Sequence, residues 1–432
     1  MEDEEMIKIG KQRLLIGLLV LAMILTACGG AGGGEAKTIR VYASWPLQGG
    51  MLPIGDGMRN SAKLALKHYL EDHGGTGPAG FSVEVIFNDD ASPVTGSWDG
   101  TVEAEIAQKC VNDPLCLVYF GTYNSGAAKV SSPITNTAGM AHITPANTYP
   151  GLTWPCPTCA EDEPGIYRPS GVQTYFRTNG NDFYQGYAAA SWSVCEGVEK
   201  VYILDDRQLY GKGVADAMET HAKEIGLEVV GHEGVESTDI DFRSLMGKIE
   251  VSGATLVYGG FVIDSGGVQV VQQMANLGLF DKGIKFMGPD GLVDAALIDQ
   301  VGGVDVIGDG NVLLTFPGLA PEQVRDLSDK GKRFYDGYVQ EYGNAPDAWD
   351  SYAYQSTLVI LDSIERAAAK GEVTRGAILQ AMKETDFEGV TGRIQFDENG
   401  DPRQSSMGGF EVRDGKIVPL APISGDMHTS CP

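Results

Sequence analysis

The sequence predicts an α/β protein of two domains, each a parallel sheet with helices on both faces. Three observations carry that expectation. Short β-branched and apolar runs alternate with helical patterns from Lys37 onward, and the alternation starts afresh near Tyr175. At 432 residues the chain exceeds ordinary single-domain size. Its 58 glycines fall largely in turn-like positions, as many strand-to-helix turns require.

The first 28 residues precede the fold. Lys8, Lys11 and Arg13 form a basic start, and residues 14–24 form an apolar run too short for a comfortable permanent span. Leu25-Thr26-Ala27-Cys28 resembles the lipobox of bacterial lipoproteins, which implies cleavage before Cys28, acylation of its thiol and a protein exported and anchored to the membrane by that lipid. The acidic residues Glu2 to Glu5 are atypical of a leader and point to Met6 as the initiator; an uncleaved signal anchor is the competing reading. Residues 29–37 begin almost wholly as glycine, a flexible tether to the folded body.

In the first series, residues 39–44, 81–87, 117–120 and 141–143 read as strands. Helices are expected near 58–72, where Ala62, Leu66 and Leu70 recur four apart, and at 101–111 and 125–136. In the second series, strands are expected at 201–204, 227–232, 256–258 and 285–287, with helices at 211–225, 242–251 and 268–277. Three longer helices follow at 321–342, 351–370 and 375–384, with Asp350 and Thr374 as N-caps and Gly371 just past a C-terminus. Residues 392–396, 409–413 and 416–419 read as strands, the last two a hairpin around Asp414-Gly415.

A net charge of −26 argues against nucleic acid or an anionic membrane surface as partner, and otherwise describes a solvated acidic exterior. Apart from Cys28 there are six cysteines, which suits an oxidising compartment. Cys110 and Cys116 bracket a tight loop, Cys156 and Cys159 flank Pro157-Thr158, and Cys195 and Cys431 remain; this is the most economical of about 15 pairings. Prolines at 150, 155, 157 and 164 make Cys156–Cys159 a loop staple rather than a redox or zinc motif.

Catalytic signatures are missing: there is no Gly-x-Ser-x-Gly, Walker A loop or His-Glu-x-x-His, so neither an enzyme nor a cofactor or metal site is expected. Residues 397–401 begin like a calcium loop, but Pro402 and Gly408 stand where that loop needs glycine and glutamate, which leaves a turn. His142 reads as a core histidine, and Gly259-Gly260 and Gly266-Gly267 as turns before a helix. Three segments place small or hydroxylated residues just after a strand: 121–126, 143–148 and 288–291. Ligands of α/β proteins bind at such strand ends.

With the lipobox and the doubled βα series, these segments give a resemblance to the periplasmic leucine/isoleucine/valine-binding proteins, the branched-chain amino acid receptors of ABC transporters. It spans Thr38 to about Arg413. Its landmarks include Trp45-Pro46-Leu47-Gln48-Gly49, Asn88-Asp89-Asp90, Arg177-Thr178, Asp205 to Gly211, Tyr258-Gly259-Gly260-Phe261 and Phe286 to Gly291. The resemblance implies a two-lobed type I periplasmic-binding-protein fold with three hinge crossings. Lobe one would hold residues 38–178 and 318–406, lobe two 179–317 and 407–432. It further implies an amino acid whose carboxylate meets Ser125 and Thr148 and whose ammonium meets the Ala146 carbonyl and Asp290. Tyr210 and Phe261 would complete the site, and permease subunits would receive the guest from a monomeric receptor. Asp290 replaces a common glutamate, Ile54 an aromatic residue, Phe261 a tyrosine, and Asn124 a cysteine of the family disulfide. The segment from Phe261 to Asp290 runs about five residues longer than in the family. Receptors for amides, urea or short-chain acids, and a module feeding a sensor, stay open as alternatives.

Overall fold

The computed structural model describes residues 37–236 and 238–423; the lipobox with Cys28, and Cys431, lie outside them. Strands β1 (Thr38–Trp45), β2 (Ser82–Asp89), β3 (Cys116–Gly121), β4 (Ala141–Thr144) and β5 (Tyr175–Arg177) form one sheet in the order β2-β1-β3-β4-β5. Every pairing in it is parallel. A second parallel set comprises β6 (Lys200–Asp205), β7 (Glu228–Gly234), β8 (Leu256–Gly260), β9 (Lys285–Gly288) and β10 (Val312–Phe316). A small antiparallel ribbon, β11 (Asp386–Glu388) with β12 (Arg393–Gln395), stands apart. The hairpin β13 (Gly408–Arg413) and β14 (Lys416–Pro419) then adds antiparallel to β10, giving the order β14-β13-β10-β9-β8-β6-β7. Asp414 and Gly415 turn this hairpin with φ of 51° and 73°, the left-handed pair a tight two-residue turn needs.

Helices α1 (Leu52–Asp72), α2 (Gly100–Asn112) and α3 (Ser125–Thr137) connect strands of the first sheet. Helices α4 (Asp182–Cys195), α5 (Leu209–Ile225), α6 (Arg243–Ser252), α7 (Val268–Asn276), α8 (Ala295–Val301) and α9 (Val304–Ile307) accompany the second. Helices α10 (Pro321–Leu327), α11 (Asp329–Tyr342), α12 (Ala348–Ala369) and α13 (Arg375–Lys383) bring the chain back: α12 packs on α1, and α13 on β3 and β4. The chain thus leaves the first sheet after β5, returns after β10, and leaves again to supply β13. Those are the three crossings of a type I two-lobed fold.

Local chemistry explains most boundaries. Helix α1 starts six residues before its expected position, because Pro53 fits the first turn, where its missing N–H costs nothing. The Asp99 carboxylate caps α2 by accepting from the Thr101 and Val102 amides, and Thr374 caps α13 through the Ala377 amide.

Several expectations are corrected. The helix expected over 321–342 breaks into α10 and α11 at Ser328, whose extended backbone lets its hydroxyl cap α11 through the Gly331 amide. Asp350 is not the N-cap of α12. Asp347 holds that place, and Asp350 in the first turn accepts from the Asp347 amide at 2.9 Å. Tyr175–Arg177 closes the first sheet rather than opening the second. Gly259 and Gly260 end β8 instead of forming a turn; a Cβ on Gly260 would lie 2.1 Å from the Gly211 carbonyl, so glycine lets α5 approach the strand end. Strand β10 and helix α8 were not foreseen.

Cys110–Cys116 and Cys156–Cys159 are disulfides with Cα atoms 5.4 and 5.0 Å apart. Cys195 is also disulfide-bonded; Cys431, its expected partner, lies outside the described residues. His142 is fully buried in β4, its Nε2 2.8 Å from the Gly121 carbonyl oxygen and its Nδ1 3.2 Å from Thr135 Oγ1. It is a satisfied core histidine, and residues 397–401 form a turn.

Candidate functional site

The loops at the carboxyl ends of β3, β4 and β9, with the start of α5, converge on one small cavity. It is lined by Tyr123, Asn124, Ser125, Ala146, Thr148, Tyr210, Val262 and Asp290. Five of the six expected ligand residues therefore meet. Phe261 is the exception: it is fully buried behind the wall, its ring against Gly259, while the adjacent Val262 faces the cavity.

Two hydrogen-bonded loops build the wall from the first sheet. Thr144 Oγ1 accepts from the Ala146 and Asn147 amides at 3.0 and 2.9 Å and donates to the Thr122 carbonyl at 2.8 Å. Asn147 Nδ2 donates to the Tyr123 carbonyl at 2.6 Å. The Asp182 amide donates to the Thr148 carbonyl at 2.8 Å, joining the start of α4 to the same loop. Beneath them the buried Arg177 guanidinium donates to the Asn147 and Tyr149 carbonyls and pairs with Asp401 at 2.7 Å. Ser125 opens α3, so the Ser125 and Gly126 N–H groups have no acceptor within the helix, whereas the Ala127 amide already donates to the Asn124 carbonyl at 3.1 Å. Hydroxyls, unpaired amides and the positive end of a helix dipole together suit a carboxylate without a fixed positive charge.

The opposite wall is acidic. Asp290 follows β9 and is 4% exposed; Tyr210 OH donates to its Oδ1 at 2.9 Å and accepts from the Gly291 amide at 2.8 Å. Gly291 is required here, because a Cβ would lie 2.6 Å from the Phe261 carbonyl oxygen. Burial pushes the Asp290 carboxyl up to about 7, against the lowering effect of its hydrogen bonds from Tyr210 and Gln185. No lysine, arginine or histidine is among the lining residues.

Sequence reasoning missed Asp182. It is fully buried at the start of α4, and among the described residues neither carboxylate oxygen has a well-formed hydrogen bond, Thr148 being the nearest source of one. Burial first, then the charge of Asp290, raises its pKa well above the usual carboxylate range. Two neighbouring buried acids can accept a positive group, although Asp182 is not among the residues lining the cavity and the Arg177 charge and a hydrogen bond from Thr148 act to lower its pKa. The signal was present in Asn179-Gly180-Asn181-Asp182, an acid opening a helix immediately after a strand and a hinge crossing, but an acid in a first helical turn ordinarily serves only the helix dipole.

The model of the periplasmic binding protein family matches residues 38–416. The leucine-, isoleucine-, valine-, threonine-, and alanine-binding protein of Pseudomonas aeruginosa is 27% identical over 370 residues, which cover 85% of this chain and 87% of that one. The Leu/Ile/Val-binding protein homolog 2 of Brucella abortus is 28% identical over 408 residues, 94% of this chain and 97% of that one. Among solved structures, a leucine-binding protein of Thermotoga maritima superposes with a TM-score of 0.74 at 22% identity, covering 90% of this chain and 99% of the other. A solute-binding protein of an ABC transporter from R. palustris in complex with benzoate gives 0.71 at 20% identity, covering 89% and 96%. The likeness to the solved structures is one of fold, and the family match spans both sheets. The chain belongs to the periplasmic binding protein family.

Proposed function

We propose that the protein is the solute receptor of an ABC importer and closes its two lobes on a zwitterionic, aliphatic amino acid. The observation that carries this reading is the meeting of Ser125 and Thr148 with Asp290 around one cavity, the first two from loops of the first sheet and the last from the second. The carboxylate is held by Ser125, Thr148 and the start of α3. The ammonium is held by the Ala146 carbonyl and Asp290, with Tyr210 orienting Asp290 and the neighbouring Asp182 adding negative charge from outside the cavity lining. Bonds from both walls to one guest exist only when the lobes are shut, so binding draws the open–closed equilibrium toward closure. In this reading lobe one comprises residues 38–178 and 318–406, and lobe two 179–317 and 407–432. The protein works outside the cytoplasm as a monomer, anchored through a lipid on Cys28, and passes its guest to permease subunits.

Melting the protein with each amino acid, simple amides and benzoate tests this. A guest at 100 times its dissociation constant adds about 2.7 kcal/mol of stability, a visible rise in melting temperature. An aliphatic amino acid is expected to give the largest shift, and Asp290→Ala to weaken its binding by about 2–5 kcal/mol, as truncating one side of a buried charge pair does. A response to benzoate alone would transfer the reading to aromatic acids, for which Asp290 and Asp182 offer no partner; a flat response to every compound would overturn it.

A further inference from the structure

Resting on this reading of a closing receptor, we infer that Trp98 is a latch: it roofs the start of α3 beside Ser125 and holds the closed cleft through its hydrogen bond to Gln208. Trp98 stands in the loop between β2 and α2, elements of the first sheet's layer. Its Nε1 donates to Gln208 Oε1 at 3.1 Å, and Gln208 is the N-cap residue of α5, which packs on strands of the second sheet. The bond therefore runs between layers that carry opposite walls of the cavity.

The indole is presented by a braced loop. Ala91 and Trp98 form an isolated antiparallel bridge across its base. Within it the Ser92 amide donates to the Ser97 carbonyl at 3.1 Å, the Gly96 amide to the Ser92 carbonyl at 2.8 Å, and Thr95 Oγ1 to the Ser97 carbonyl at 2.7 Å. Gln48 Nε2 ties the loop to the turn after β1 through the Ala91 carbonyl at 2.9 Å. Gly49, at φ 66°, interlocks with it as well, since a Cβ there would lie 2.3 Å from the Gly96 carbonyl oxygen.

The ring lies flush on the second residue of α3. A Cβ on Gly126 would sit 2.4 Å from Trp98 Cζ2 and 2.6 Å from Cη2, so only glycine leaves room for it. Two effects follow from one side chain. The indole excludes water from the end of the helix whose amides face the guest's carboxylate, and interactions with that anion strengthen as the local dielectric falls. Its N–H adds an inter-lobe bond that must break before the guest departs. Gln208 offers a matched acceptor: its side chain does not cap α5.

The test is a double-mutant cycle over Trp98→Phe, which keeps a ring and removes the N–H, and Gln208→Ala. With L-leucine as probe, each single change is expected to speed dissociation about three- to tenfold, the scale of one net hydrogen bond. Association should stay within about twofold and the ligand-free melting temperature nearly constant, as most interface changes act on dissociation. The double variant should lose no more than the worse single variant. Unchanged dissociation, or effects that multiply in the double variant, would overturn the latch. If L-leucine does not bind the unaltered protein, that choice of guest fails by itself. Spin labels at Lys129→Cys on α3 and Lys223→Cys on α5 then read the ligand-free lobes directly: the short-distance population should shrink in Trp98→Phe, and an unchanged distribution would sink the proposal.

Discussion

Capture of an amino acid by this site should release a proton. Burial holds the Asp290 carboxyl at about 7, so in the empty closed cleft at pH 6 roughly nine molecules in ten carry the proton. An ammonium against Asp290 needs the ionised form, so binding at pH 6 expels about 0.9 proton, and at pH 8 about 0.1. The apparent dissociation constant should fall about tenfold per pH unit from 5 toward 7 and level off by 8, close to a hundredfold in all, or about 2.7 kcal/mol. Titration calorimetry at pH 6 in buffers of different ionisation enthalpy counts the protons directly, and Asp290→Asn should erase both the buffer dependence and the slope. Heats that do not vary with buffer, together with flat affinity from pH 5 to 8, would refute the assignment of Asp290 to the ammonium. The ligand-free protein should show the opposite trend. A carboxyl whose folded pKa is raised stabilises most below its unfolded value near 4 and loses that contribution as pH rises through about 7. Asp290, Asp294 and Glu103 are all raised to about 7, chiefly by burial. His142, held down at about 3 by burial, works in the other sense only below about 6.5. Between pH 6.5 and 8, therefore, the free protein's melting temperature should fall while the gain on adding ligand grows.

Two further substitutions probe the scaffold. Arg177→Met would leave the Asp401 carboxylate and the Asn147 and Tyr149 carbonyls short of their buried donor; we expect a loss of about 3–5 kcal/mol in denaturant unfolding, partly recovered by adding Asp401→Leu. Gly57→Ala should destabilise by about 1–3 kcal/mol although alanine is the better helix former, because its Cβ would lie 2.4 Å from Asp350 Oδ1 where α1 and α12 meet; an unchanged or higher unfolding midpoint would contradict that contact.

What the sequence disclosed depended on how each segment is solvated. Strands flanked by helices in the first series were legible because apolar runs are bounded by turn residues, and the hairpin at Asp414-Gly415 because its turn chemistry is local. Val312–Phe316 has no polar face and so no period of two to read, but the equally buried Leu256–Gly260 was legible, so burial alone does not account for the difference. Ser328 was passed over because apolar periodicity continues on either side of it, and only the capping bond reveals the break. The site divides in the same way. Ser125, Thr148 and Asp290 each follow a strand within a recognisable turn, whereas Asp182 gains its meaning from Asp290, 108 positions away in the chain and beside it only once both sheets are folded.

The two poles of the cavity handle charge by different physics, and that difference sets how the lobes behave. The anion pole is made of dipoles and hydroxyls, which tolerate an empty site at little cost because none carries net charge. On the proposed reading the cation pole is Asp290 with the neighbouring buried Asp182, whose raised pKa values favour a proton on one of the two in a closed cleft without a guest. Empty closure therefore brings a proton with it, while filled closure substitutes the guest's ammonium for that proton. At acidic pH protons replace the guest and empty closure competes with capture. At neutral and alkaline pH empty closure carries an electrostatic penalty that the amino acid removes, so the closed form offered to a transporter is one that has been filled. The same argument predicts that Asp182→Asn raises the closed fraction of the ligand-free protein at pH 8, measured as a shorter inter-lobe distance, while weakening affinity. A closed fraction insensitive to this change would mean that Asp182 and Asp290 do not share the electrostatic burden.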